Sequence, residues 1–438
     1  MVVPSRAAVE PAPPRLASRL PWIGAGAQLL RNPAAFFAEM RERLGDTYLV
    51  DAFGYRLFCV FSPAGVRALY AVPEDHASFG LATRHLLSLK LPPELFEGRR
   101  TTARTLFGGD DVQGYLANLE EAIRLEIAAW GAAGTFEVFS TMRRLGHRLG
   151  LASWIGPEAA APPWLERLAP LFDRLDSSDA FVRPARAFLV AATRHARERR
   201  AMHAIERAVA AIRAEQLRGA PASRVLDHDN AAYEDLPDAA RHARVARDVI
   251  MLHLGSQSNL YAALAWTLVE ILRHPALLDQ VRAGDDALVE RCVNESIRLA
   301  QRSITLRLVL RPLDIALEDQ TYRLAPGVLL ATMLSVNNTT AAAGLGHFDP
   351  AHYDGRRIAP TVPLAAKELV STFGHGAHAC PAQRFAVTAI RLAVRRLVER
   401  YELKARFTTV AARRRQLGAV ARAESPCMVE YRVRSARS

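Results

Sequence analysis

Lysine is almost missing from this chain. Of its 57 basic residues only Lys90, Lys367 and Lys404 are lysine, and the other 54 are arginine. The arginines are spread along the whole sequence, with no dense basic block interleaved with aromatics. That argues against nucleic-acid binding despite a formal charge of +12. A positive surface still favours an acidic partner or substrate. Cysteine is also scarce. Cys59, Cys292, Cys380 and Cys427 lie far apart and none sits in a C-x-x-C pair, which excludes a zinc knuckle and a disulfide framework. No apolar run approaches the 18 or so residues that suggest a membrane span, so no membrane anchor is expected. The first two dozen residues carry an early Arg6 but no compact apolar stretch behind it. They do not read as a secretory signal, and a cytoplasmic location is expected. With half the residues hydrophobic and 23% charged, the composition is that of a packed globular protein rather than a disordered one.

Along the chain, residues 1–14 read as a loose Pro- and Ala-rich arm and 15–438 as one large domain. Residues 32–44 read as a short helix. The stretch 47–61, β-branched and aromatic with a central Gly, reads as a hairpin. Ser62 followed by Pro63 marks a helix start. From Asp111 onward long Ala/Leu/Arg stretches with helical periodicity dominate. The polar segment 216–240 reads as a surface connection. The longest helical pattern, 241–273, is stopped at His274-Pro275 because proline cannot continue a helix. Residues 302–334 switch to strand-like runs. The expected class is mainly α with a minor β lobe near the N-terminus.

The most informative segment is STFGHGAHACPAQRFA (371–386). Phe373, Gly376, His378 and Cys380 stand at the spacing F-x-x-G-x-H-x-C, followed by Pro381 and an apolar helix. A cysteine between a Gly-rich loop and a helix start is well placed to be a thiolate, since the helix dipole and free N–H groups favour negative charge there. Upstream, Glu295 and Arg298 form E-x-x-R. Alone, such an i, i+3 pair is ordinarily a solvated ion pair. Downstream of it, DPAHYDGRR (349–357) offers Pro350, His352 and Tyr353. In the long helix, LHLGSQSNLYAA (252–263) places Gly255, Ser256, Gln257, Ser258 and Asn259 in succession. Asn337 and Asn338 each head an N-x-T sequon, irrelevant to a chain that is not exported.

The Cys380 loop resembles the haem-binding loop of the cytochrome P450 family, F-x-x-G-x-(R/H)-x-C-x-G, with Ala382 in place of the last Gly. The resemblance runs from about residue 15 onward. It implies the cytochrome P450 fold and haem b as cofactor. Cys380 becomes the axial iron ligand, His378 a partner of a haem propionate, and Phe373 part of the haem-binding loop. Glu295, Arg298 and His352 become a structural trio. Two arginines should meet the propionates: Arg100 (with Arg104 as competitor) and Arg311 (with Arg307 as competitor). The distal helix motif of the family carries an acid and a threonine, and here Ser258 and Asn259 stand in those places. The pattern is similar to the sterol 7α-hydroxylase and prostacyclin synthase branches. Asn259, with Ser258 and Gln257, would position the distal water. The implied activity is monooxygenation of an apolar or amphipathic small molecule by a monomer. Electrons would come from an acidic ferredoxin or flavodoxin with its reductase, docked at Arg384, Arg391, Arg395 and Arg396. The alternative is an isomerase or dehydratase that rearranges a peroxide or oxime without electron input.

Overall fold

The computed structural model describes residues 12–17, 20–98, 109–176, 189–190, 192–219, 224–317 and 320–434. The chain divides into two compact units. The first comprises residues 1–85, 302–346 and 363–379, and the second 86–301, 347–362 and 380–438.

The first unit is built on a five-stranded sheet. Its strands are β1 (Thr47–Ala52), β2 (Tyr55–Val60), β3 (Ala77–Ser78), β4 (Ile304–Val309) and β5 (Leu329–Met333), in the spatial order β1-β2-β5-β4-β3. β1 and β2 form the hairpin expected from sequence. Its two turn residues, Phe53 and Gly54, both have positive φ, the conformation that matches the twist of a two-residue hairpin. β5 is buried along its whole length and is apolar except for Thr332. The β lobe is therefore not N-terminal alone: two of its five strands come from residues some 250 positions later. A two-stranded ribbon, Leu313–Leu317 with Gln320–Leu324, closes a core around Phe58, Val60, Leu69, Ile315 and Leu330. Ser62 accepts from the Gly65 N–H at 3.1 Å and caps the helix Pro63–Ala71, as the Ser-Pro pair predicts.

The second unit is mostly helical. Seven of its helices matter below: α1 (Gly109–Ala128), α2 (Val138–Trp154), α3 (Pro162–Leu175), α4 (Ala196–Gln216), α5 (Asp238–Arg273), α6 (Asp286–Ala300) and α7 (Gln383–Arg400). α5 has 36 residues, about 54 Å at 1.5 Å per residue. Every residue from Leu260 to Leu272 is buried, so this part of α5 is a central helix enclosed on all sides. It packs against α2, α4, α6 and α7. Residues 224–232, expected as part of a polar connection, form a short helix instead. The reason is packing: Val225, Leu226 and Tyr233 are all buried, too few apolar positions to show a period in the sequence. A three-stranded sheet of Ala133–Glu137, Met428–Val433 and Tyr401–Ala405 completes this unit.

Candidate functional site

Cys380 lies two residues before Ala382, the N-cap of α7. Of the four cysteines it alone is exposed. Burial pushes the other thiols up, Cys292 to about 12 and Cys427 to about 11, which keeps them protonated and inert. Surrounding protein raises the Cys380 thiol as well, but the Ala382 N–H donates to it and opposes that rise. A sulfur that is open to a ligand and already faces a backbone donor is the local arrangement a metal-bound thiolate needs.

On α5, Gly255 and Asn259 are both exposed and lie four residues apart, so they share one face. No protein atom lies within 4 Å of where a Cβ on Gly255 would sit. The Asn259 Oδ1 accepts from the Val420 N–H at 3.0 Å, which fixes the amide. Ser258 is buried beside it. Gln257 is placed elsewhere: it is buried on the opposite side of the helix, with its amide 3.1 Å from His147 on α2. The structure thus brings Gly255 and Asn259 to one open face and turns Gln257 away from it.

Glu295 and Arg298, on α6, are fully buried rather than a solvated surface pair. The guanidinium grips the carboxylate through two hydrogen bonds of 2.7 and 2.6 Å. The same carboxylate accepts from the Asp349 N–H at 3.0 Å and faces His352 Nδ1 at 2.9 Å, while Arg298 also donates to the His347 carbonyl. Two buried charges can stand only with this degree of hydrogen bonding around them. The network ties α6 to the loop 347–352.

In the first unit, the stretch 371–379 winds through Gly374 and Gly376, both at positive φ. A Cβ on Gly374 would come 2.5 Å from the His378 carbonyl oxygen, so this position admits only glycine. Phe373 is half-buried. His378 sits in a 3₁₀ turn, with Nε2 3.8 Å from a Glu74 oxygen and its ring against Phe79. Arg307 and Arg311 differ sharply. Arg307 is buried and donates to the Ala77 and Leu69 carbonyls. Arg311 is exposed and pairs with Asp75. Arg100 and its competitor Arg104 lie outside the described residues.

Sequence reasoning missed two features here. Glu74 accepts from Ser78 and from the Phe79 and Gly80 N–H groups, and approaches both Arg307 and His378. Asn338, passed over as a sequon, is buried and grips the Ser371 backbone through two hydrogen bonds of 3.1 and 2.8 Å, anchoring the start of the glycine loop. Glu74 lies in no motif and Asn338 only in a sequon, and contacts of such long range leave no local signal.

No family model matches the chain. Curated proteins do. Over 415 residues it is 26% identical to the protein named cytochrome P450 135B1 in Mycobacterium tuberculosis, covering 87% of this chain and 84% of that one. It is 24% identical to the cytochrome P450 monooxygenase pyvB of Aspergillus violaceofuscus, covering 90% and 83%. It is 20% identical to the mouse 24-hydroxycholesterol 7-alpha-hydroxylase, covering 97% and 93%. The bacterial and fungal relatives are both named cytochrome P450, and each of the three matches covers more than four fifths of both chains.

The chain is similar to cytochrome P450 proteins over most of its length. It is accordingly an oxidoreductase with haem b as its cofactor, and its helical architecture with small sheets is the cytochrome P450 fold. The residues present fit that cofactor: one accessible thiol beside a backbone donor, and an open face on α5 in the same unit. No cluster of three metal-binding side chains occurs among the described residues to suggest a different metal centre. No helix among the described residues is long and apolar enough to cross a membrane.

Proposed function

We propose that this cytochrome P450 inserts one oxygen atom from dioxygen into an apolar or amphipathic small molecule, with Cys380 as the axial ligand. The observation that carries the reading is the single accessible thiol at the start of α7. When bound, haem b supplies the oxygen-activating chemistry, and thiolate ligation favours O–O cleavage. The chain's own residues do the rest. Cys380 holds its negative charge against the Ala382 N–H. The exposed face of α5 presents Gly255, which leaves room, and Asn259, whose amide can order a water but cannot titrate. Ser258 supports that turn. If haem binds here, His378 and one of Arg307 and Arg311 would hold its carboxylates, with Arg100 as the second arginine and Phe373 as part of the haem-binding loop. Glu295, Arg298 and His352 hold the fold rather than touch the reacting atoms.

Electrons come from an acidic ferredoxin or flavodoxin with its reductase. Arg391, Arg395 and Arg396 on α7 already pair with Asp286, Glu399 and Glu120. The exposed Arg384 is therefore the leading contact for such a partner, because its charge is not neutralised in this way. The protein works as a monomer in the cytoplasm.

The test is the carbonyl spectrum of the reduced protein, followed by product analysis with and without a reductase. Wild type should show the thiolate-type band, and Cys380→His should lose it while keeping haem. A thiolate-type band in that variant refutes the assignment of Cys380. The second reading is a peroxide- or oxime-rearranging enzyme that needs no electrons. It is favoured by Asn259 and Ser258, which replace both proton-handling residues of the distal motif. Product formation without reductase or dioxygen would select it.

A further inference from the structure

Beneath α5, on the side that Gln257 faces, the second unit contains a chain of polar groups that the proposed function does not use. Asp173, near the end of α3, is about a third exposed and is gripped by Arg143 of α2 at 2.7 Å. Its Oδ1 lies 2.8 Å from His147 Nε2. His147 Nδ1 lies 3.1 Å from His253 Nε2, with the two imidazoles nearly coplanar at 17°. His147 and His253 are both buried. The last nitrogen, His253 Nδ1, is buried and meets no hydrogen-bond partner.

The direction of every proton in this chain follows from its outer end. Asp173 is held as a carboxylate, its pKa lowered by His147 and Arg143 against the cost of burial, so it can only accept. His147 therefore carries its proton on Nε2, and its Nδ1 is a lone pair. That lone pair must accept from His253 Nε2–H. Nδ1 of His253 is then a bare acceptor in the protein interior. The Gln257 amide lies 3.1 Å from His147 Nε2, beside the contact that this nitrogen makes with Asp173.

The inner end of the chain points at an indole. A Cβ on Gly150 would lie 2.7 Å from His253 Nδ1 and 3.4 Å from Trp154 Nε1, so the two nitrogens flank the same glycine. They are separated by at most about 6 Å, a gap one water can bridge. Trp154 is fully buried. Its ring packs 4.8 Å from Phe385, five residues after Cys380, and 5.5 Å from Tyr115.

We propose that Trp154 is a redox-active residue whose proton is exported by His253, His147 and Asp173. Resting on the haem-thiolate reading, it acts when the haem centre has been oxidised without substrate to consume the oxidising equivalent. With haem bound and oxidised, the Trp154 ring would give up one electron to it. The Nε1–H bond breaks and its proton passes, through one water in the gap, to His253 Nδ1. His253 gives its Nε2 proton to His147 Nδ1, His147 gives its Nε2 proton to Asp173, and solvent takes it from there. The electron supply of the monooxygenase then returns the electron, and the proton comes back along the same path. The polar groups that meet His147 are Asp173 and Gln257; Arg143 grips Asp173 and also approaches Asp176, which pairs with Arg422, and both arginines lie over the Tyr261 ring. Gly150 is part of the device: a methyl there would displace the His253 ring.

The experiment mixes substrate-free, reductase-free holoenzyme with hydrogen peroxide, freezes it within milliseconds and reads the radical by electron paramagnetic resonance. Wild type should give a neutral tryptophanyl signal, and Trp154→Phe should lose it at unchanged haem content. Asp173→Asn and His147→Gln should lower its yield at least fivefold, and Asp173→Glu should restore it. Nitrogen-15 spectra of the histidines should show His147 protonated on Nε2. The relay is overturned by an undiminished tryptophanyl signal in Trp154→Phe, by full yield in both relay variants, or by His147 protonated on Nδ1. A wild-type protein with the thiolate carbonyl band but no tryptophanyl radical overturns the relay alone. A missing band overturns the haem-thiolate reading beneath it.

Discussion

Removing one charge from the Glu295–Arg298 pair should be far more damaging than removing both. Glu295→Gln leaves the Arg298 guanidinium at 0% exposure, facing a neutral amide and the His347 carbonyl. It also weakens the acceptor that holds His352 and the Asp349 N–H. Breaking a buried pair in this way costs about 3–5 kcal/mol. With an unfolding entropy of about 2.1 cal/mol/K per residue over 438 residues, that lowers Tm by about 3–5 °C if the chain unfolds as one unit. The double variant Glu295→Leu/Arg298→Met removes both charges and should recover at least half of the loss. Differential scanning calorimetry of the haem-loaded protein, with the haem-to-protein absorbance ratio alongside, measures both. The reasoning fails if Glu295→Gln melts within 1 °C of wild type, or if the double variant is worse than the single by the full Arg298 cost.

Three further outcomes follow from the geometry. The His253 pKa is pushed well below its ordinary 6.5 by burial and then by His147. The unfolded state therefore binds the proton first, and stability should fall as pH drops below about 6.5, by up to about 1.4 kcal/mol per unit. His253→Gln should flatten that slope between pH 5 and 6.5 in thermal melts, and an unchanged slope would assign it to other groups. Gly374→Ala combines a left-handed φ with a Cβ 2.5 Å from the His378 carbonyl, and should lose about 1–3 kcal/mol along with much of the bound haem. Gly376→Ala, with open space around it, should retain more haem on the same absorbance ratio, and equal losses would contradict the steric argument. Asn259→Ala leaves the buried Val420 N–H without its acceptor and should cost about 1–3 kcal/mol in urea unfolding, whereas Asn259→Asp keeps an acceptor and should cost less.

Local chemistry wrote much of this protein plainly into its sequence. Ser62-Pro63 starts a helix and His274-Pro275 ends one wherever they occur, because a cap and a missing N–H act within a single turn. The long period of α5, the hairpin at 47–60 and the spacing around Cys380 are legible for the same reason: the residues that matter are neighbours along the chain. Tertiary structure decided what spacing cannot encode. It determined that Glu295 and Arg298 are buried, that Gln257 faces His147 while Asn259 faces open space, and that Asn338 grips Ser371. It also joined residues 47–60 to 304–333 in one sheet and aligned Asp173, His147 and His253 from three different helices. Each of these depends on which helix or strand covers which face, and that is settled by the free energy of burying whole surfaces together, a quantity summed over distant segments and carried by no short stretch of sequence.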